Sequence, residues 1–218
     1  MTPVVIPAKP LHLALSRLSG LLSPPQRLSV QVAMLTDVIR AGVGFSDTVI
    51  VVSADPQVET IARKLGAQVV ADASPAQGID VAVERGIAAS ASPDILVVMG
   101  DLPLATSADL HAVSVALGPG PGIACAMSAD GTGTNALFLR PARAITTHFG
   151  AGSLAAHLQR AAEQDIHAVA LPVGGLGRDI DTPDDLAALL RSGHECATTQ
   201  VCHSLGIADV MSGAAGSR

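Results

Sequence analysis

The sequence predicts an α/β domain of three layers, α/β/α, around a mostly parallel mixed sheet. Three observations carry that expectation. Apolar runs of four to six residues recur along the chain, the length and composition of strands covered on both faces. Longer segments with apolar residues three to four apart separate them, as helices do in right-handed β-α-β connections. After Gly118-Pro119-Gly120-Pro121-Gly122, two extended runs meet at Asp130-Gly131, which reads as a hairpin insertion and makes the sheet mixed.

The predicted strands are Pro3 to Ala8, Thr48 to Ser53, Gln68 to Ala71, Asp94 to Met99, Ile123 to Met127, Ala136 to Leu139 and Ala168 to Pro172. Ser23 as N-cap, with proline at the first helical position, starts a helix that carries Leu28, Val32, Leu35, Val38 and Ile39 and ends at Gly42. Gln57 to Leu65, Ile79 to Ala91 and Thr106 to Leu117 read as further helices. Thr182-Pro183-Asp184-Asp185 opens one more, to about Arg191, with Asp185 as the N3 partner of the Thr182 cap. The domain is expected to span residues 1–190. The segment 191–218 has weak periodicity and ends in Ser-Gly-Ala-Ala-Gly-Ser-Arg, so it is read as an appendage with a disordered tip.

A chain of 218 residues that is 49% hydrophobic can bury a sizeable core. Thirteen Lys+Arg against nineteen Asp+Glu give a net charge of -6, and there is no Trp or Tyr, which disfavours nucleic acid as a partner. No run approaches the roughly 20 uninterrupted apolar residues of a bilayer span, so no membrane is expected either. The start has no basic region ahead of a long apolar run, as a secretory signal would, so the expected compartment is the cytoplasm. Cys125, Cys196 and Cys202 are an odd number, which argues against a disulfide framework.

In open α/β sheets ligands sit beyond the carboxyl ends of the strands, so residues just after the apolar runs are the candidates. Pro7-Ala8-Lys9-Pro10, followed by Ser16-Arg17-Leu18, puts two cations in such a loop, though a plain solvated loop has the same composition. The fourth run ends on Gly100-Asp101-Leu102-Pro103, where a carboxylate at a buried strand mouth must be solvated, used as a cap, or bound to a cation. In Asp179-Ile180-Asp181 the two carboxylates project to the same side of an extended segment, where they repel unless a cation intervenes. With Asp101, the pair would suit Mg²⁺ against phosphate oxygens; a solvated acidic turn ahead of a capped helix is the alternative. Asp130-Gly131-Thr132-Gly133-Thr134-Asn135 and Phe149-Gly150-Ala151-Gly152-Ser153 present backbone N–H and hydroxyl donors without bulk, as a phosphate or carboxylate requires. Neither matches the P-loop or the dinucleotide fingerprint.

Taken in order, Ile6-Pro7-Ala8-Lys9-Pro10, Ser16-Arg17-Leu18, Met34-Leu35-Thr36-Asp37-Val38, Gly100-Asp101-Leu102-Pro103, Gly131-Thr132-Gly133-Thr134-Asn135-Ala136-Leu137, Phe149-Gly150-Ala151-Gly152-Ser153 and Asp179-Ile180-Asp181-Thr182-Pro183 resemble the 2-phospholactate/phosphoenolpyruvate guanylyltransferase family of coenzyme F420 biosynthesis. The resemblance covers roughly residues 3–190. It implies a Rossmann-like nucleotidyltransferase fold and transfer of GMP from GTP to the phosphate of a three-carbon phospho-acid (phosphoenolpyruvate, 2-phospho-L-lactate or 3-phosphoglycerate), with release of pyrophosphate. It further implies that Asp101, Asp179 and Asp181 hold Mg²⁺, that Lys9 and Arg17 act with Asp101 in catalysis, and that Pro7, Ala8, Lys9, Gly78, Asp80 and Gly100 contact the nucleotide. Thr134, Gly150 and Ser153 match acceptor-binding positions. GTP and a small phospho-acid are thus the expected partners, and a homodimer is left open.

Two positions depart from the family. Leu15 stands where a lysine usually precedes Ser/Thr-Arg-Leu, and Gly78-Ile79-Asp80 replaces the usual Gly-Leu-Asn; the Asp80 carboxylate could still accept from guanine N1–H and N2–H₂. Two alternatives stand beside this reading: nucleotidyl transfer to another acceptor (a phosphonate, molybdopterin or a sugar phosphate) and, motivated by Leu15 and Asp80, a non-catalytic nucleotide-binding module. His194, Cys196, Cys202 and His203 lack the spacing of paired zinc-ligand turns, and His148 and His157 read as surface or helix-packing histidines.

Overall fold

Alternate residues of each apolar run go to opposite faces of one sheet, so Val4 and Ile6 join one core while Val5 joins the other. The computed structural model describes residues 1–13, 15–72, 77–209 and 211. Among these the sheet has seven strands: β1 (Val4–Pro7), β2 (Val49–Ser53), β3 (Gln68–Ala71), β4 (Ile95–Val98), β5 (Gly122–Met127), β6 (Thr134–Arg140) and β7 (Ala168–Leu171). Their spatial order is β3-β2-β1-β4-β6-β5-β7. β6 runs antiparallel to both β4 and β5, whereas the other neighbouring pairs are parallel. The expected mixed sheet is therefore present, with the hairpin as its antiparallel part.

One face is covered by α1 (Pro24–Phe45), α2 (Pro56–Lys64) and α4 (Ser107–Ala116), which bring Leu35, Val38, Val58, Leu110 and Val113 against Val4, Ile6 and Phe138. The other is covered by α3 (Ile79–Ala88) and α5 (Ser153–Glu163), which set Val83, Ile87, Leu154 and Ala161 against Val5, Ile50 and Leu137. α3 can lie this close to β1 because Gly86 has no side chain: a Cβ there would run into Val5.

α1 continues past the predicted stop at Gly42 to Phe45. Gly42 is a packing residue rather than a helix terminator, since a Cβ on it would come 3.3 Å from Val49 Cγ2. By length and composition α1 is also the one helix among the described residues that is apolar enough to cross a membrane. In the fold it is a core helix, buried on one side against the sheet and, through Val30 and Met34, on the other against α6 (Pro183–Arg191) and α7 (Ala197–Ser204).

No helix was expected after residue 191, yet α7 packs on α1 and buries Cys202 beside Leu18, Met34 and Leu186. The anchor is Asp37 of α1, a buried carboxylate that accepts the Ala197 and Thr198 N–H groups at 2.8 and 2.9 Å and the Thr198 hydroxyl at 2.7 Å. An acidic side chain meeting the N-terminal turn of a helix satisfies donors that have no partner within the helix and complements its dipole. Weak apolar periodicity hid α7, because polar bonds to Asp37 hold much of its first turn. The expected disordered tip, residues 212–218, lies outside the described residues. Asp37→Asn sets an amide donor among these donors; the expected loss is about 1–3 kcal/mol in chemical denaturation, and an unchanged midpoint would show that α7 docks without the carboxylate.

Candidate active site

A cavity of about 650 Å³ opens where the chain leaves β1 and β4. The two strands pair in parallel, Val4 with Leu96 and Val5 with Val97, so the segments that follow them emerge side by side. Of the residues expected to bind nucleotide or act in catalysis, Pro7, Ala8, Lys9, Arg17, Gly78, Gly100 and Asp101 line this cavity, together with Asp181. Gly78 is the N-cap of α3 with φ +92°, a conformation in which other residues are strained, so glycine is what lets α3 begin at the cavity wall. Leu15 also lines the cavity in a left-handed conformation, φ 54°, held by packing of its side chain into the Leu18–Met34–Ile180 cluster. The position departing from the family is thus an apolar anchor for the Arg17 loop.

Three carboxylates come together here. The Ile180 N–H donates to the Asp101 carbonyl at 3.1 Å while the Ile180 side chain is buried, which leaves Asp179 and Asp181 flanking it next to Asp101. Burial first, and then Asp179 and Asp181, push the Asp101 carboxyl up to about 6, against the opposing pull of its own backbone and Lys9. Asp179 is likewise raised, by burial and then by Asp181, Asp185 and Asp130. Asp181 is held differently, in an ion pair with Arg17 at 2.9 Å that is largely exposed.

The described side chains do not form a closed set of three ligands around one ion; Arg17 occupies Asp181. Magnesium is commonly held by one or two carboxylates with substrate phosphates completing the shell, and Asp101, whose charge is crowded by two other acids, is a donor of that kind. The residues present fit such an ion as part of a nucleotide complex rather than as a preassembled cage.

Thr134, Gly150 and Ser153 do not line the cavity; they form a second cluster. The Thr134 N–H donates to Ser153 Oγ at 2.8 Å and the Leu154 N–H to Thr132 O at 3.2 Å, joining the two glycine-containing loops. Gly150 has φ +114°, which the loop needs to turn into α5. Asp130 accepts from Ser128 and Thr132 within the hairpin turn, and those bonds hold its carboxyl down near 2. Asp80, expected beside the base, accepts the Phe149 N–H at 3.0 Å through Oδ1, tying the start of α3 to the second loop. The two clusters are therefore neighbours: α3 begins at the cavity and Asp80 reaches the loop, while Asp179 interacts with both Asp181 and Asp130.

Sequence reasoning missed Asp72, which lines the cavity directly after β3 and pairs with Arg85. The rule that sites follow strand ends pointed to that position, but its partner lies on a helix face and gave no signal. It also missed the work of Asn135, whose buried Nδ2 donates to Leu176 O at 2.7 Å and so fastens the segment leading to Asp179 against β6.

Residues 2–217 match the family model described as "Guanylyl transferase CofC like". The chain belongs to this family. It is similar to the phosphoenolpyruvate guanylyltransferase of Sphaerobacter thermophilus, 38% identical over 203 residues that cover 88% of the chain and 93% of the relative. It is also similar to the 3-phospho-D-glycerate guanylyltransferase of Phenylobacterium zucineum, 32% identical over 200 residues, covering 88% and 91%. Among solved structures, a nucleotidyl transferase from Methanothermobacter thermautotroptrophicus superposes with a TM-score of 0.66 at 20% identity, over 88% of this chain and 99% of that one. The expected nucleotidyltransferase fold is thus shown, and the chain is a nucleotidyltransferase by family.

The Asp101 carboxyl titrates near 6 in the fold, above the ordinary 3.8, so its favourable share of stability is complete below about pH 4 and is lost as pH rises through 6. In chelator, Asp101→Asn is expected to be more stable to chemical denaturation than the wild type at pH 7, by roughly 2–3 kcal/mol, with the gap closing toward about pH 4. A variant less stable at pH 7 would mean that the carboxylate is a structural bond.

Proposed function

We propose that this protein transfers GMP from GTP to the phosphate of a three-carbon phospho-acid, phosphoenolpyruvate in the first instance and otherwise 2-phospho-L-lactate or 3-phosphoglycerate, releasing pyrophosphate in the biosynthesis of coenzyme F420 in the cytoplasm. The observation that carries this reading is the meeting of Lys9 and Arg17 with Asp101 and Asp181 in one cavity at the carboxyl ends of β1 and β4. The names of the relatives support the substrates, and they differ in the acceptor they print.

The acceptor phosphate is already an anionic nucleophile at neutral pH, so the chain need supply no general base. One of its oxygens attacks the α-phosphorus of GTP in line, the bond to the β-phosphate oxygen breaks, and the pair of electrons leaves with pyrophosphate. Lys9 and Arg17 are suited to stabilise charge gathering on that leaving group. Mg²⁺, held by Asp101 with Asp179 or Asp181 and the phosphates, would neutralise the triphosphate so that two anions can approach. Thr134 and Ser153 would hold the acceptor's phosphate or carboxylate through their hydroxyls, and Gly150 through its backbone N–H.

Incubation with GTP, Mg²⁺ and each phospho-acid is expected to release pyrophosphate with at least one of them and not when CTP replaces GTP. Asp101→Asn should lower kcat on the order of 10²-fold or more while the protein stays folded. Failure of every acid in the panel to elicit pyrophosphate release overturns the proposal, and preference for CTP overturns the base assignment.

A further inference from the structure

His157 is fully buried on α5 and bridges the two segments that the acceptor reading uses. Its Nε2 lies 3.0 Å from the His148 N–H, which can only donate, so Nε2 is the accepting nitrogen. The ring proton is then on Nδ1, which faces Thr134 Oγ1 at 3.0 Å. Phe149 packs edge-on against the ring with centroids 5.0 Å apart. One imidazole thus grips the hydroxyl of a β6 residue with one nitrogen and the main chain entering the Phe149-Gly150-Ala151-Gly152-Ser153 loop with the other.

We propose that His157 is the positioning residue of the acceptor site, its neutral ring fixing the distance between Thr134 of the hairpin and the loop that carries Gly150 and Ser153. The inference rests on the acceptor assignment made above. Burial, the largest influence, brings the ring down to about 4, with Arg160 and His148 acting in the same direction and Asp80 opposing, so the ring is neutral at ordinary pH. By accepting from Nδ1–H, Thr134 Oγ1 keeps its own hydrogen for donation; the nearby Cys125 thiol competes for it only as a weak acceptor. Ser153 Oγ, accepting from the Thr134 N–H, likewise keeps its hydroxyl hydrogen. The arrangement leaves both hydroxyls as donors, the polarity that a phosphate or carboxylate needs.

The two bonds can be tested separately, because an asparagine amide can stand in for Nδ1–H and a glutamine amide for Nε2. His157→Asn keeps the tie to Thr134 and loses that to His148; His157→Gln does the reverse. For both variants the KM for the phospho-acid is expected to rise about 5- to 50-fold, with the KM for GTP within about 2-fold of wild type. Thermal denaturation would confirm that each is folded. A role in packing alone moves both KM values together or neither, and either result overturns the inference. A wild-type protein inert toward every phospho-acid would remove the functional reading beneath it and this inference too, whereas an active wild type with unchanged acceptor KM in both variants overturns this inference alone.

Discussion

The parallel pairing of β1 with β4 is the contact on which the site depends. Because Val4 stands opposite Leu96 and Val5 opposite Val97, the chain cannot carry Lys9 and Asp101 apart before they interact. β1 is also flanked by β2, whose crossover helix α1 lies on one face of the sheet, while α3 leads back into β4 on the other. The crevice between these helices is the place where open α/β sheets accept ligands. The bond from Ile180 to the Asp101 carbonyl extends the arrangement by bringing a distant acidic segment to the same rim.

The charges at this rim are unevenly matched. Asp101 is desolvated by burial and has two acids beside it, with Lys9 only partly compensating, and the result is a carboxyl that resists ionisation. Arg17 is engaged with Asp181 across the mouth of the cavity. An incoming polyphosphate would compete with Asp181 for that guanidinium, and a divalent ion would compete with Arg17 for Asp181. Such an exposed pair is held weakly, so a partner exchange of this kind meets little resistance from the protein.

Much of this was legible in the sequence because the sheet is covered on both faces: the seven apolar runs are the seven strands, and the residues after the first and fourth are the cavity wall. What could not be read were contacts made by polar atoms across long sequence separations. Asp37 holding α7, Asn135 fastening the 174–177 segment and Asp80 bonded to Phe149 leave no periodic trace. His157 looked like a packing residue, and it is one by burial; its two hydrogen bonds became visible only when α5 was placed beside β6. Gly42 misled in the opposite direction, since a glycine that permits close packing resembles one that ends a helix.

The reversed strand β6 has an architectural consequence. In a purely parallel sheet every strand would approach the ligand with its carboxyl end, but β6 arrives by its amino end, at Thr134, directly from the Asp130 turn. Lengthening or reshaping that turn would alter one substrate's surroundings without shifting the register of β1 and β4. If the acceptor sits where we propose, at Thr134 and the 149–153 loop, inverting a single strand separates the half of the scaffold that must stay constant for a shared donor from the half free to diversify among acceptors.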